Sequence, residues 1–261
     1  MVRHERLTTL LGMLGQREQL VVEDVAEELD VSASTIRRDL DYLAEQQLLT
    51  RTRGGAVAND LAYDLPLRYK TARNAPEKQR ISAAAAALAE PGMSVGLNGG
   101  TTTASIARAL AMRADLGTRG EAPGLTVVTN ALNIAHELAV RPNIKIVVTG
   151  GVARPQSFEL SGPLATWVLN ELTLDVLFLG VDAFDPDSGA FAHHEGEASI
   201  NRLMVDRAAR VVAVADGSKL GRRAFARICP TERVHTLVTD TDAEPATVRA
   251  FEAAGVEVLS V

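Results

Sequence analysis

Apolar residues follow two different rhythms along this chain. Over the first fifty positions they recur three and four apart. Leu7, Leu10, Leu11 and Leu14 make one stripe, Val25, Ala26 and Leu29 a second, and Ile36, Leu40 and Leu43 a third. That spacing puts apolar side chains on one face of a helix. It predicts helices over about 3–14, 22–29 and 32–46, the last N-capped by Ser32. Beyond Pro76 the rhythm changes. Short runs of Val, Ile and Leu at 93–98, 125–129, 144–149, 174–181, 211–215, 236–239 and 256–259 are separated by helical stretches at 76–90, 101–111, 130–140, 163–172, 197–209 and 245–253. The predicted fold class is α/β: a small N-terminal helical domain, then a mostly parallel sheet flanked by helices. The predicted divisions are 1–57, a linker at 58–75 holding Pro66 and the basic residues Arg68, Lys70 and Arg73, and 76–261.

Composition narrows the classes. At 261 residues the chain is comfortable for two domains. No apolar run reaches the roughly 18–20 residues that span a bilayer. The first residues are too polar for a signal peptide. A cytoplasmic protein with no membrane partner is expected. Cys229 is the single cysteine, which excludes an intrachain disulfide and a cysteine-based zinc site; it reads as a small buried hydrophobe. His193 and His194 are adjacent and point apart in regular structure, so they read as a loop at a pocket rim, with no metal or other cofactor expected. Trp167 reads as core or subunit interface. The net charge is −6, and residues 1–57 carry 7 Arg against 10 Asp and Glu. Any phosphate binding there needs positive charge concentrated locally.

The third helix concentrates it. At 100° per residue from the buried Ile36, Arg37 falls at about 100°, Ser34 at about 160° and Arg38 at about 200°. Thr35 lies on the flank, and Ser32 stands at the cap. These groups occupy the N-terminal half, the part that enters the major groove in helix-turn-helix domains. Arg can make two hydrogen bonds to guanine, and Ser or Thr can reach bases or phosphates. Asp39 and Asp41 read as partners that hold these arginines. Next, Arg51 and Arg53 alternate along a predicted strand, and Gly54-Gly55 permits a tight turn. The whole reads as a β-hairpin wing beside a reading helix. A solvated three-helix bundle, or a protein-binding winged helix, is the alternative.

In the larger domain, ligands are expected beyond the carboxyl ends of the strands. Asn98-Gly99-Gly100-Thr101-Thr102-Thr103 joins a strand to a helix. Its glycines admit a close ligand, and its free amides and hydroxyls suit an anion. It is neither a Walker loop nor GxGxxG. Other strand ends carry Thr129-Asn130, Thr149-Gly150-Gly151, Gly180-Val181-Asp182 and Asp216-Gly217-Ser218-Lys219. Anion-binding amides with Lys219, and hydroxyl-binding Asp182 and Asn130, suit a phosphorylated polyol.

A family resemblance rests on these residues. Val25-Ala26-Glu27, Val31-Ser32, Thr35-Ile36-Arg37-Arg38-Asp39-Leu40, Leu43, Leu48, Arg51 and Gly54-Gly55-Ala56 resemble the N-terminal winged helix of the DeoR family of bacterial transcription regulators. The runs LNGGTTTASIA, VVTNALNIAHEL, VVTGGVARPQSFELSG, LFLGVDAF and VAVADGSKLGRRAFA resemble its sensor domain, similar in fold to ribose-5-phosphate isomerase. The resemblance implies that Gly100, Thr101 and Thr102 hold a phosphate. It implies that Asp182 and Lys219 share the pocket, with Glu197 nearby. Four residues depart from the family pattern: Gln47 for Gly, Arg53 for His, Asn98 for Asp and Asn201 for Lys. The function implied is a repressor of carbohydrate genes, not an enzyme. It binds double-stranded operator DNA as a dimer or tetramer and is released by a phosphorylated sugar. A sugar-phosphate isomerase with an accessory N-terminal domain is the rival reading.

Overall fold

The apolar stripes of the first fifty residues converge on one small core. A computed structural model describes residues 2–17, 19–46, 48–57, 74–117 and 123–261. Helix α1 (Arg3–Arg17), α2 (Val22–Glu28) and α3 (Ala33–Glu45) bury Leu7, Leu10, Leu11, Leu14, Val25, Ile36, Leu40 and Leu43 together. Three short strands, β1 (Gln19–Val21), β2 (Thr50–Arg51) and β3 (Gly55–Val57), form an antiparallel sheet in the order β1-β3-β2. The sequence pattern did not predict β1, which has three residues and runs straight into α2. The two-glycine turn also needs correction. Arg53 and Gly54 form the turn, whereas Gly55 belongs to β3. A Cβ on Gly55 would sit 1.7 Å from the Leu20 carbonyl oxygen. Gly55 is there for close approach of β1, and the turn does not require it.

Contacts divide the chain into two units, Met1–Arg73 and Asn74–Val261. The predicted linker basics Arg68, Lys70 and Arg73, and the departure Gln47, lie outside the described residues. Asn74 caps the first helix of the second unit, and Ala75 begins it.

The second unit is built on seven strands. They are β4 (Ser94–Leu97), β5 (Leu125–Thr129), β6 (Ile144–Val148), β9 (Leu174–Gly180), β12 (Ala208–Val214), β14 (Thr236–Thr239) and β15 (Glu257–Ser260). Their order is β15-β14-β12-β9-β4-β5-β6, and every neighbouring pair is parallel. Successive residues go to opposite faces, as the two-residue strand period requires. Val176 and Phe178 join one core with Ile81, Ile106 and Ile134. Leu177 and Leu179 join the other with Leu169, Met204 and Phe251. Helices α4 (Ala75–Ala87), α5 (Thr101–Met112) and α6 (Leu132–Leu138) supply the first core. Helices α7 (Pro163–Asn170), α8 (Glu195–Arg207) and α9 (Pro245–Ala253) supply the second. Both sheet faces are therefore dry, which explains the unbroken apolar runs.

Two smaller features were not foreseen. A hairpin, β7 (Val152–Ala153) with β8 (Leu160–Ser161), follows β6. An antiparallel sheet joins β10 (Ala183–Asp185), β11 (Gly189–Ala192) and β13 (Ala226–Cys229). Cys229 is buried there, and burial, the main cause, pushes its thiol up to about 11. Trp167 is 69% exposed, which removes the core reading of that residue. No helix among the described residues is long and apolar enough to cross a membrane.

Candidate functional site

The first unit exposes the groups that the helical wheel placed outward. Ser32 caps α3, its hydroxyl accepting from the Thr35 amide at 3.2 Å. The same oxygen lies 2.9 Å from the Ser34 hydroxyl and 2.8 Å from the Thr35 hydroxyl. Ser34, Arg37 and Arg38 are exposed and Thr35 half-buried, whereas Ile36 and Leu40 are buried. Their partners differ from the expected ones. Asp39 is buried and binds Arg6, with Arg3 at 3.5 Å, so it braces α3 against α1 and does not hold the reading arginines. Arg37 pairs with Glu23 of α2 at 2.8 Å. Both side chains are more than half exposed, and such a pair is worth at most about 1 kcal/mol. Arg37 can exchange it for a phosphate. Arg51 is committed more deeply. Its Nε donates to Asp41 at 2.7 Å and its Nη1 to the Gly55 carbonyl, tying wing to helix. Arg38 and Arg53 are exposed and have no ion-pair partner among the described residues.

In the second unit, β12, β9, β4 and β5 are consecutive neighbours. Their carboxyl ends therefore present the loops beginning at Ala215, Val181, Asn98 and Asn130 side by side. Chain order reverses between β4 and β9, the switch point at which such sheets open a crevice. Gly100 is the N-cap of α5 with φ of 143°, a conformation that L side chains avoid. The amides of the first turn of α5 have no acceptor within the helix. Thr101 is half-buried, and the Thr102 hydroxyl is buried without a hydrogen-bond partner. Lys219 donates to the Val181 carbonyl at 2.6 Å. The Asp216 carboxyl is buried, which alone would raise its pKa. Lys219, Ser218, Lys78 and Asn74 outweigh that and hold it below the ordinary range.

Carboxylates gather on the β5 side. Asn130 is buried, and its Nδ2 donates to Glu159 at 3.0 Å. Its Oδ1 is buried without a partner. Glu159 packs so closely on Gly99 that a Cβ there would lie 2.2 Å from its Cγ. Glu197, at the start of α8, accepts from Arg154 at 3.1 Å. Asp182 accepts from the His193 amide at 2.9 Å, and the His194 ring caps α8. Burial, then repulsion from Glu197 and Asp182, pushes the Glu159 carboxyl up to about 8, against the pull of Asn130 and Arg154. Among the described residues no group of three or more His, Cys, Asp or Glu is arranged to hold a metal.

Residues 6–61 match the DeoR-like helix-turn-helix domain, and residues 73–241 match the DeoR C terminal sensor domain. The chain belongs to the DeoR family.

A DeoR-family chain with a helix-turn-helix unit and a sensor unit is a DNA-binding transcription regulator, not an enzyme. It is similar to a repressor assigned to the aga operon of Escherichia coli O157:H7, 34% identical over 98% of this chain and 93% of that one. It is 29% identical to the glycerol-3-phosphate regulon repressor of Escherichia coli K12, over 92% of each. Among solved structures, ribose 5-phosphate isomerase A of Methanocaldococcus jannaschii aligns with a TM-score of 0.40. That alignment has 22% identity over 56% of this chain and 54% of that one.

The structure alters how two departures from the DeoR pattern read. Asn98 is buried and locked onto β9, donating to the Gly180 carbonyl at 2.9 Å and accepting its amide at 2.7 Å. An aspartate there could not donate, so Asn98 serves to knit β4 to β9. Asn201 is buried one turn beyond Glu197, with its Oδ1 unpartnered. Three groups were missed. Glu159 reaches the site through a bridge to Ala131, and Arg154 comes from the same excursion after β6. Neither sits at the end of a main-sheet strand. Lys78 lies on α4 and is 5% exposed. An unexplained lysine on a helix face that must pack was the available signal.

Proposed function

We propose that this DeoR-family protein represses genes of carbohydrate uptake or catabolism and leaves its operator when a phosphorylated sugar or polyol occupies the second unit. The observation that carries this is the convergence of anion-binding and hydroxyl-binding groups on the carboxyl ends of four neighbouring strands. The first amides of α5 follow β4 and Lys219 follows β12, with Lys78 close enough to act on Asp216, while Asn130 follows β5, Asp182 follows β9, and Glu159 and Glu197 stand close enough to act on one another. The first group suits a phosphate, with Gly99, Gly100, Thr101 and Thr102 as its cradle. The second accepts hydrogen bonds from hydroxyls. The regulon name of the glycerol-3-phosphate relative supports the same ligand class. On the DNA side, Ser34, Thr35, Arg37 and Arg38 read the major groove, with Arg53 on a phosphate and Ser32 holding the turn.

Two winged helices in a dimer or tetramer would engage paired half-sites. Exposed Leu164 and Trp167, three apart on α7, support assembly, which sedimentation velocity measures. The effector must bind the released state more tightly than the operator-bound state. The deciding experiment is fluorescence anisotropy of the purified protein on its own upstream DNA, across salt concentrations and against a panel of sugar phosphates. Salt-sensitive, sequence-preferring binding that one of them reverses is expected; binding that none of them reverses refutes the ligand class. Thr101→Val is expected to leave DNA binding unchanged and to raise the effector concentration for release by tenfold or more. A hydrogen bond to a charged group is worth about 1.5–3 kcal/mol. Lost DNA binding with an unchanged response would remove Thr101 from the cradle.

A further inference from the structure

Asp216 is a buried and multiply engaged carboxylate of the second unit. Its Oδ1 accepts from the Asn74 side-chain amide at 3.0 Å and from the Ser218 hydroxyl. Lys219 and Lys78 both stabilise its charge. The residue is 3% exposed. Asn74 is the N-cap of α4, in a left-handed conformation with φ of 52°. It directly follows Arg73, the last residue of the first unit. Lys78 begins the second turn of α4, its amide bonded to the Asn74 carbonyl at 3.0 Å. One turn further on, the Ser82 hydroxyl donates to the Lys78 carbonyl at 2.6 Å and lies 3.3 Å from the Thr102 carbonyl. The head of α4 is thus fastened to both loops of the cationic corner, 98–102 and 216–219. It is also the point where the DNA-binding unit is covalently joined.

Lys219 and Lys78 lie within electrostatic reach of Asp216, and Lys219 also donates to the Val181 carbonyl at 2.6 Å, so an anion drawn to these ammonium groups competes with Asp216 for them. We propose that Asp216 couples the site to the DNA-binding unit: an arriving anion takes Lys219 and Lys78 from it, and its hold on Asn74 at the head of α4 loosens. This rests on the reading of that corner as the phosphate subsite. Lys78 becomes a second cation of the subsite. Asp216 and Asn74 become positioning residues, needed for response and not for affinity. The coupling has a defined sign, because the competitor and the tether are the same carboxylate.

The test uses the full chain, with inorganic phosphate as the probe and chloride of matched ionic strength as the reference. In the wild type, phosphate is expected to speed hydrogen exchange of amides 78–82 several-fold. Asp216→Asn removes the competing charge but keeps an acceptor for Asn74. It is expected to tighten phosphate binding at least threefold while abolishing the exchange response. Asn74→Gly tolerates the left-handed backbone and removes the tether. Its phosphate affinity is expected to stay within twofold of wild type, again with no response. Each variant substitutes for the other if one fails to fold, as judged by far-ultraviolet circular dichroism. Phosphate bound by the wild type with unchanged exchange at 78–82, or variants that respond like the wild type, overturns the coupling alone. Phosphate unbound by the wild type and by Lys219→Gln alike overturns the subsite reading and the coupling with it.

Discussion

Arg38 and Arg51 carry the same charge but stand in different surroundings, and that difference predicts different defects. Arg38 is exposed on α3 with no ion-pair partner among the described residues, whereas Arg51 is held by Asp41 and the Gly55 carbonyl. Arg38→Ala is expected to weaken binding to the preferred DNA by about 1–3 kcal/mol, roughly 5- to 150-fold, and to relax sequence preference. Arg53→Ala is expected to lower the slope of log K against log salt by about one. Arg51→Ala is expected to leave that slope unchanged, its cost falling on the wing. Anisotropy titrations at four salt concentrations distinguish the three. A reduced slope for Arg51→Ala would show that it leaves Asp41 for a phosphate. The wheel found which side chains point outward because helical periodicity fixes direction. It could not find partners, since Glu23 is fourteen residues from Arg37 and Arg6 thirty-three from Asp39. Those pairings depend on how helices pack.

Elements were legible where an apolar helical stripe or an unbroken run of Val, Ile and Leu marks them, and lost where short segments carry neither. Helix α3 and the seven parallel strands declared themselves. Strand β11 did not, because Gly189-Ala190-Phe191-Ala192 sets one large apolar side chain among small ones and makes no run of Val, Ile or Leu. Its turn was readable: Asp185-Pro186-Asp187-Ser188-Gly189 has turn chemistry, and Asp185 accepts the Ser188 amide at 2.8 Å. The wing yields the prediction at this level. Gly55→Ala would drive a methyl group into the Leu20 carbonyl, and neither backbone can give way without breaking the β1–β3 pairing. A cost of at least about 2–3 kcal/mol is expected, with DNA binding lost. Hydrogen exchange at 19–21 and 55–57 should rise while the strands of the second unit keep their protection. Gly54→Ala, with open space at its Cβ position, is the control and should bind DNA normally. Equal defects in both variants would return the role of the glycines to the turn.

The second unit holds a cluster of ammonium groups around the Asp216 carboxylate and a cluster of carboxyl groups around the Glu159 proton. Strand ends exposed Asn130, Asp182 and Lys219 to sequence reasoning, since in a parallel sheet every such loop lies on one side. Glu159, Arg154 and Lys78 arrive by excursion or from a helix face, and no strand-end rule reaches them. Glu159 has a consequence for the entire second unit. Its carboxyl ordinarily titrates at 4.5 and is pushed up to about 8 in the fold. Between those values the folded state holds a proton that the unfolded state has lost. By linkage, the folded state binds more protons there, so stability falls as pH rises. The contribution is fully present below about 4.5 and is lost as pH rises through about 8. Urea unfolding of the full chain between pH 5.5 and 8.5 is expected to show this decline. Glu159→Gln, which keeps shape and an acceptor for Asn130 but cannot ionise, is expected to flatten it and to match or exceed the wild type at pH 8.5. A slope surviving in Glu159→Gln would assign the proton to another group of the cluster, with Glu197 and Asp182 as the next substitutions to make.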